Sequence, residues 1–225
     1  MKTSSKHLFL LIAVVSLRSL LVAATDPDPL QDFCVAVNET DVKIYVNGWI
    51  CKDPTTVKTD DFYYAGQLNV PHEIVSPYGT ALTGVFVPEL PGLNTQGLGL
   101  TRVDYLPNGL NVPHTHPRAT EVITVLEGKL YAGFMTAGDD PNTLYARYLY
   151  PGDVFVFPRG LMHFQINVGG TNAAALVFFN SQRPGTVNVP SALFRVEPPL
   201  PTEIIARTFQ INENLAEYLR SRSSF

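Results

Sequence analysis

Between residues 97 and 180 the chain alternates apolar and polar positions in short runs, each closed by Gly, Pro or Asn. A period of two over runs of this length marks half-buried strands rather than helices. Eight strands are predicted: 97–106, 112–116, 121–127, 129–136, 144–150, 153–157, 162–168 and 173–180. The turns between them fall at Asn108-Gly109, Gly128, Pro151-Gly152, Pro158 to Gly160 and Gly169-Gly170. Upstream, from Asp60 to Pro91, the pattern is broken by Pro and Gly, and only Phe62 to Ala65 and Ala81 to Val87 suggest edge strands. Helical spacing enters only at the end. Pro190-Ser191 caps a piece through Arg195, Pro201-Thr202 starts Glu203 to Phe209, and Asn212 starts Glu213 to Arg222 with Leu215, Ala216 and Leu219 on one face. The pattern as a whole predicts an all-β antiparallel sandwich or barrel with a short C-terminal helical extension.

The first 24 residues do not fit that scheme. Lys2 and Lys6 precede an apolar run from Leu8 to Val15, and Val22, Ala23 and Ala24 supply the small residues of a cleavage site. This reads as a secretory leader, too short and too interrupted by Ser16, Arg18 and Ser19 for a membrane span. The remainder is long enough for one sizeable core and has no other run of membrane length. A net charge of −4 with scattered Lys and Arg gives a nucleic-acid backbone nothing to pair with, so a nucleic-acid partner is not expected.

A secreted chain is an oxidising-compartment chain, which changes how its two cysteines are read. Cys34 and Cys51 are an even pair, and no neighbouring ligands favour a metal knuckle, so a bridge is expected. Closing a loop of this size stabilises by about 3 kcal/mol in the chain-entropy picture. Asn38-Glu39-Thr40, inside the loop, is a glycosylation sequon on a segment a transferase can reach.

Candidate chemistry gathers in two stretches. His114 and His116 lie two apart on one strand, so both imidazoles can face one point, and Pro117 to Thr120 then turns the chain so that Glu121 heads the next strand. His163 opens a later strand whose alternate members Gln165 and Asn167 share its face. A His-x-His pair alone is more often a packed or surface pair. Here three of five histidines fall in these stretches, His7 lies in the leader, and His72 reads as an exposed loop residue. Three imidazoles and a carboxylate suit several first-row metals, with raw affinity favouring copper or zinc.

The His-x-His, the Glu after four residues and Gly128 after six more resemble the first cupin motif, and Gly152, Pro158, Gly160, His163 and Asn167 resemble the second. Cys34, Val46 to Lys52, Arg102-Val103-Asp104, His114 to Glu121, Pro158 to Gln165 and Phe179 to Gln182 further resemble the plant germins and germin-like proteins, through nearly all of the chain after residue 24. The family's paired Gly before the first motif is Asn108-Gly109 here.

The resemblance implies a single cupin jelly-roll barrel over 61–190, a disulfide-tied extension over 25–60 closed by Cys34 and Cys51, and helices over 191–225. It implies a manganese ion on His114, His116, Glu121 and His163, and homo-oligomers, trimers and dimers combined into hexamers, in the apoplast or cell wall. Asn111, Gln165, Asn167 and Thr101 are the expected polar groups around the ion. Of two asparagines implicated in oxalate-oxidising germins, Asn111 matches one and Thr101 stands in place of the other, so oxalate oxidation is not expected. Superoxide dismutation is the leading activity, with links to defence or wall processes. A non-catalytic wall-associated or receptor-like metal protein and a nucleotide-sugar phosphodiesterase are the alternatives.

Overall fold

The computed structural model describes residues 33–37, 48–138 and 141–222. Residues 1–24, expected to be a leader, and Asn38 of the sequon lie outside them. Among the described residues ten strands form: β1 (Thr80–Val85), β2 (Gly99–Tyr105), β3 (Leu110–Thr115), β4 (Glu121–Glu127), β5 (Leu130–Met135), β6 (Leu144–Leu149), β7 (Val154–Phe157), β8 (His163–Asn167), β9 (Ala173–Phe179) and β10 (Val187–Asn188). They pair antiparallel into two five-stranded sheets, ordered β1-β2-β9-β4-β7 and β10-β3-β8-β5-β6. Consecutive strands repeatedly cross from one sheet to the other, which makes the body a jelly roll.

The inner faces follow from the period of two. On β4, Glu121, Ile123 and Val125 are buried while Val122 and Thr124 are not, and on β8 His163, Gln165 and Asn167 are the buried set. Val103, Tyr105, Leu130, Phe157, Ala175 and Val177 complete the packing between the sheets. Burying each of the valine, leucine and phenylalanine side chains stabilises by about 1.5–3 kcal/mol. Polar residues therefore replace hydrocarbon at chosen inward positions only.

Two turns set the spacing of these strands. Asn108 takes a left-handed φ of 64° at the β2–β3 turn, which asparagine tolerates. Gly128, at φ 81°, closes the β4–β5 turn, where an added Cβ would collide with Ala173 on β9. Asn167 fastens the same end of the barrel: its amide donates to the carbonyls of Leu106 (2.9 Å) and Thr171 (2.8 Å) and accepts from the Gly169 N–H (2.9 Å). The expectation that Asn167 is a pocket group is corrected by this placement. It shares a face with His163, but two strand positions beyond Gln165 it has reached the turn, where backbone groups need its amide.

Upstream, the edge strand expected at Phe62 to Ala65 is absent. Asp61 instead accepts from the Lys58 N–H (2.8 Å) and pairs with Lys52 (3.1 Å), favouring a 3-10 turn over Thr59–Phe62. An irregular segment follows and is pinned across β2 by a buried ion pair. Arg102 binds Asp104 and donates to Leu68 O (3.0 Å), while Asp104 accepts from His72 N–H (3.1 Å). His72 is accordingly half-buried rather than exposed, and it lies outside the histidine cluster. Cys34 and Cys51 are bonded to each other, and Asn94 bridges this corner to Trp49 through its N–H (3.0 Å) and carbonyl (2.8 Å).

The C-terminal helices are α1 (Val189–Phe194), α2 (Thr202–Phe209) and α3 (Glu213–Arg222). Ile205, Ala206 and Ala216 form a small core with Phe194, Leu200 and Ile211. The apolar face expected on α3 is only partly covered: Ala216 is buried, but Leu215 is 40% exposed. No helix among the described residues is long and apolar enough to cross a membrane.

Candidate metal centre

His114 lies near the end of β3 and His163 begins β8, and the two are direct cross-strand partners. Regular pairing would not put Asn111 on their face, because it lies an odd number of residues from His114. The β3–β8 register shifts by one between Asn111 and His114, and this irregularity at Val112-Pro113 lets Asn111 pair with Gln165 while His114 pairs with His163. Proline suits such a place, having no N–H to give the ladder. Two residues on, His116 turns inward from the β3–β4 connection, and Glu121 enters from the opposite sheet as the first residue of β4.

The four side chains converge. One ligand atom from each of His114, His116, Glu121 and His163 lies within 4.8 Å of all the others, and all four residues are buried. Among the described residues no other group of three or more His, Cys, Asp or Glu side chains does this. Glu121 Oε2 is 3.0 Å from His116 Nε2 and 3.1 Å from His163 Nε2.

What faces the centre is decided on the far side of each ring. His114 Nδ1 contacts Val112 O at 2.8 Å, His163 Nδ1 contacts Leu161 O at 2.8 Å, and His116 Nδ1 contacts Gly185 O at 2.5 Å. A carbonyl only accepts, so each Nδ1 carries a proton, and each ring in its neutral form presents its Nε2 lone pair inward. Three lone pairs and a carboxylate then point at one another. A proton on one imidazole relieves one of these contacts, whereas a metal ion satisfies all four donors at once. The donor set therefore fits a first-row metal.

The carboxylate is held as firmly as the rings. Its cross-strand neighbours are Phe157 on β7 and Phe179 on β9. Phe157 stacks on His163 (centroids 4.5 Å, 21°) and Phe179 meets His116 edge-on (4.8 Å, 71°). Gln165 donates to Glu121 Oε1 (3.1 Å), and Asn111 donates to Gln165 Oε1 (2.8 Å). The second carboxylate oxygen is thus occupied and Oε2 is left for the centre. Thr101, on β2, is buried and lines a cavity that His114, His116 and Glu121 also line.

Titration follows the same geometry. Burial, reinforced by the neighbouring His163, lowers His114 to about 4, so the ring is neutral near pH 7. For Glu121, burial raises the pKa, but hydrogen bonds from His116 and His163, which those rings donate only when Nε2 also carries a proton, outweigh it and carry the group down to about 2. It is ionised. Burial pushes the Tyr105 hydroxyl well above the ordinary phenol range, helped by the Glu121 and Asp104 charges.

Several parts of this arrangement escape sequence reading. Gly185 is 69 residues from His116, and no spacing announces its carbonyl. The phenyl walls Phe157 and Phe179 become visible only once the β4–β7 and β4–β9 registers are known. Val112 and Leu161 each stand two residues before the histidine they orient, a local repeat that the sequence does contain.

This barrel and centre are those of a known class. The cupin family profile matches residues 66–217. Germin-like protein subfamily 1 member 7 of Arabidopsis thaliana is 48% identical over 211 residues, covering 94% of this chain and 91% of that protein. Among solved structures, a recombinant oxalate oxidase in complex with glycolate is 44% identical with a TM-score of 0.85, over 89% of this chain and 98% of that one. Peruvianin-I, described as a cysteine peptidase from Thevetia peruviana latex, is 40% identical with a TM-score of 0.66, over 73% of this chain and 98% of that one. The chain belongs to the cupin family and, within it, to the germin-like proteins.

Proposed function

We propose that this chain is an extracellular germin-like protein that holds one manganese ion on His114, His116, Glu121 and His163 and disproportionates superoxide there. The observation that carries this reading is the convergence of three Nε2 lone pairs with an ionised carboxylate, each ring locked by a backbone carbonyl. Manganese rather than zinc or copper is drawn from the germin resemblance, since the donors alone favour no such choice. Held by these four side chains, a redox-active ion would supply the electron exchange of superoxide dismutation, in which one superoxide is oxidised to dioxygen and a second, with two protons, is reduced to hydrogen peroxide. The residues hold and orient the ion, with Gln165 and Asn111 fixing Glu121.

Oxalate oxidation is not proposed, although an oxalate oxidase is similar to this chain. Thr101 occupies a position where the resemblance calls for a second asparagine, and its shorter hydroxyl is poorly placed to hold a dicarboxylate. Thiol chemistry has no residue to use, because the chain's two cysteines are bonded to each other. The leader over residues 1–24, the Cys34–Cys51 bridge and the Asn38 sequon support secretion to the apoplast or wall. Exposed Ile204, Phe209 and Tyr218 on the helices support assembly into homo-oligomers, with the hexamer as the expected form.

The test is a superoxide pulse on manganese-loaded protein and on His114→Ala prepared alongside it. Rapid decay that His114→Ala abolishes is expected. Equal decay with both proteins rejects the dismutase reading.

A further inference from the structure

His114, His116 and Glu121 of the cluster line a cavity of about 590 Å³. That volume lies in the range of organic-ligand sites, whereas superoxide is diatomic. Polar neighbours adjoin the cluster: Asn111 reaches Glu121 through Gln165, Thr186 Oγ1 lies 3.4 Å from His116 Nδ1, and Asn188 is the cross-strand partner of His114. Leu82, Val103, Leu110, Val112 and Val177 from β1, β2, β3 and β9 supply hydrocarbon wall, with Thr101, Ser76, Thr80 and Gln182 as further polar lining. Four aromatic rings, Trp49, Tyr78, Phe86 and Phe179, also face the space. Arg183 lies over the Trp49 ring at 5.2 Å, and Glu89 is the other charged lining residue outside the cluster. These two opposite charges give no preference for a second anionic group.

We propose that this cavity binds an organic monocarboxylate with an aromatic body, its carboxylate directed at the cluster and its ring lying among the apolar walls. The inference rests on the metal reading for its polar end: a divalent ion on three neutral imidazoles and one carboxylate leaves a surplus positive charge, suited to a single anionic head. It rests on the walls alone for the other end. Apolar walls reward a ring by removing its surface from water, and aromatic neighbours add edge and stacking contacts. Oxalate has no body to fill them.

Trp49 is the chain's one tryptophan, so its emission reports occupancy of this cavity without reference to turnover. The manganese-loaded secreted protein is titrated with cinnamate and, separately, with oxalate, and its metal content is measured on the same sample. Cinnamate is expected to change the emission saturably with a dissociation constant at least tenfold below that of oxalate. Leu82→Asp, on a wall position that is 57% exposed and so tolerant of substitution, is expected to weaken cinnamate at least tenfold at unchanged manganese content. The neutral Leu82→Asn is expected to weaken it by a smaller factor.

Equal or tighter binding of oxalate, no emission change with cinnamate, or full cinnamate affinity in Leu82→Asp overturns the proposal. A protein without manganese that still prefers cinnamate sinks the metal reading and upholds the cavity. A protein without manganese and without that preference sinks both.

Discussion

Replacing Gln165 by leucine removes the middle of a short relay in which Asn111 holds Gln165 and Gln165 holds Glu121 Oε1 at 3.1 Å. Leucine has a similar volume, so the packing between β3, β5 and β8 changes little, but the carboxylate loses the donor that keeps its second oxygen engaged. A hydrogen bond to a charged group contributes about 1.5–3 kcal/mol, and Gln165 is only 1% exposed, so water does not replace it. Freed from the relay, Glu121 can rotate away from the geometry that leaves Oε2 between His116 and His163. Loss of such an orienting partner typically weakens metal binding by roughly 10–100-fold. Competition against a chelator of known affinity, run beside urea unfolding of the metal-free protein, separates the two effects. Both a weaker metal constant and a loss of about 2 kcal/mol are expected. Asn111→Ala, one link further out, is expected to weaken metal binding less. If Gln165→Leu binds metal within twofold of the parent while losing stability, the residue only fills space and the relay argument fails.

Other substitutions probe the same geometry from different sides. In Glu121→Gln, the Gln165 donor selects the new carbonyl oxygen, turning the new NH2 toward the two Nε2 atoms at 3.0 and 3.1 Å. The metal-free variant is expected to melt above the metal-free parent, by roughly 1–2 kcal/mol, while losing metal binding, and a lower melting point in the absence of metal contradicts the lone-pair assignment. Asn167→Ala leaves the Leu106 and Thr171 carbonyls without their donor and is expected to cost roughly 3 kcal/mol in urea with metal affinity within threefold of the parent. A large loss of affinity would return Asn167 to the centre. Acidification supplies a further check. His114 has a folded pKa of about 4 against an ordinary value of 6.5, so between those values the unfolded chain takes up a proton that the folded one refuses. Metal-free stability is expected to fall by about 3 kcal/mol as pH drops from 6.5 to 4. Stability constant across that window would show that the His114 ring is not buried as a neutral group.

Much of this fold was legible because its strands are short, alternating and bounded by strong turn residues. All eight strands expected between residues 97 and 180 form, with ends shifted by at most two residues, and α2 and α3 start at the expected Pro201-Thr202 and Asn212, whereas α1 starts at Val189 on an Asn188 cap rather than at Pro190-Ser191. Phe62 to Ala65 misled because aromatic content resembles a strand even where no sheet edge is available, and Asp60-Asp61 carried the contrary turn signal. The two-residue β10 is too short to leave a periodic trace. At the centre, period-two spacing was enough to put His114 with His116, and the motif spacing brought in Glu121 and His163. The same rule misplaced Asn167, since a shared face says nothing about position along the strand. It also could not show that Asn111 joins Gln165, because that contact depends on a register shift. Long-range backbone partners such as Gly185 O have no signature in side-chain sequence at all.

The most direct measurement is elemental analysis of the purified protein and of His163→Ala. Close to one manganese ion per chain in the parent, and almost none in the variant at the same state of folding, is the expected result. A parent protein that carries no transition metal after exposure to manganese, or a variant that retains its full complement, contradicts the assignment of these four side chains as a metal centre.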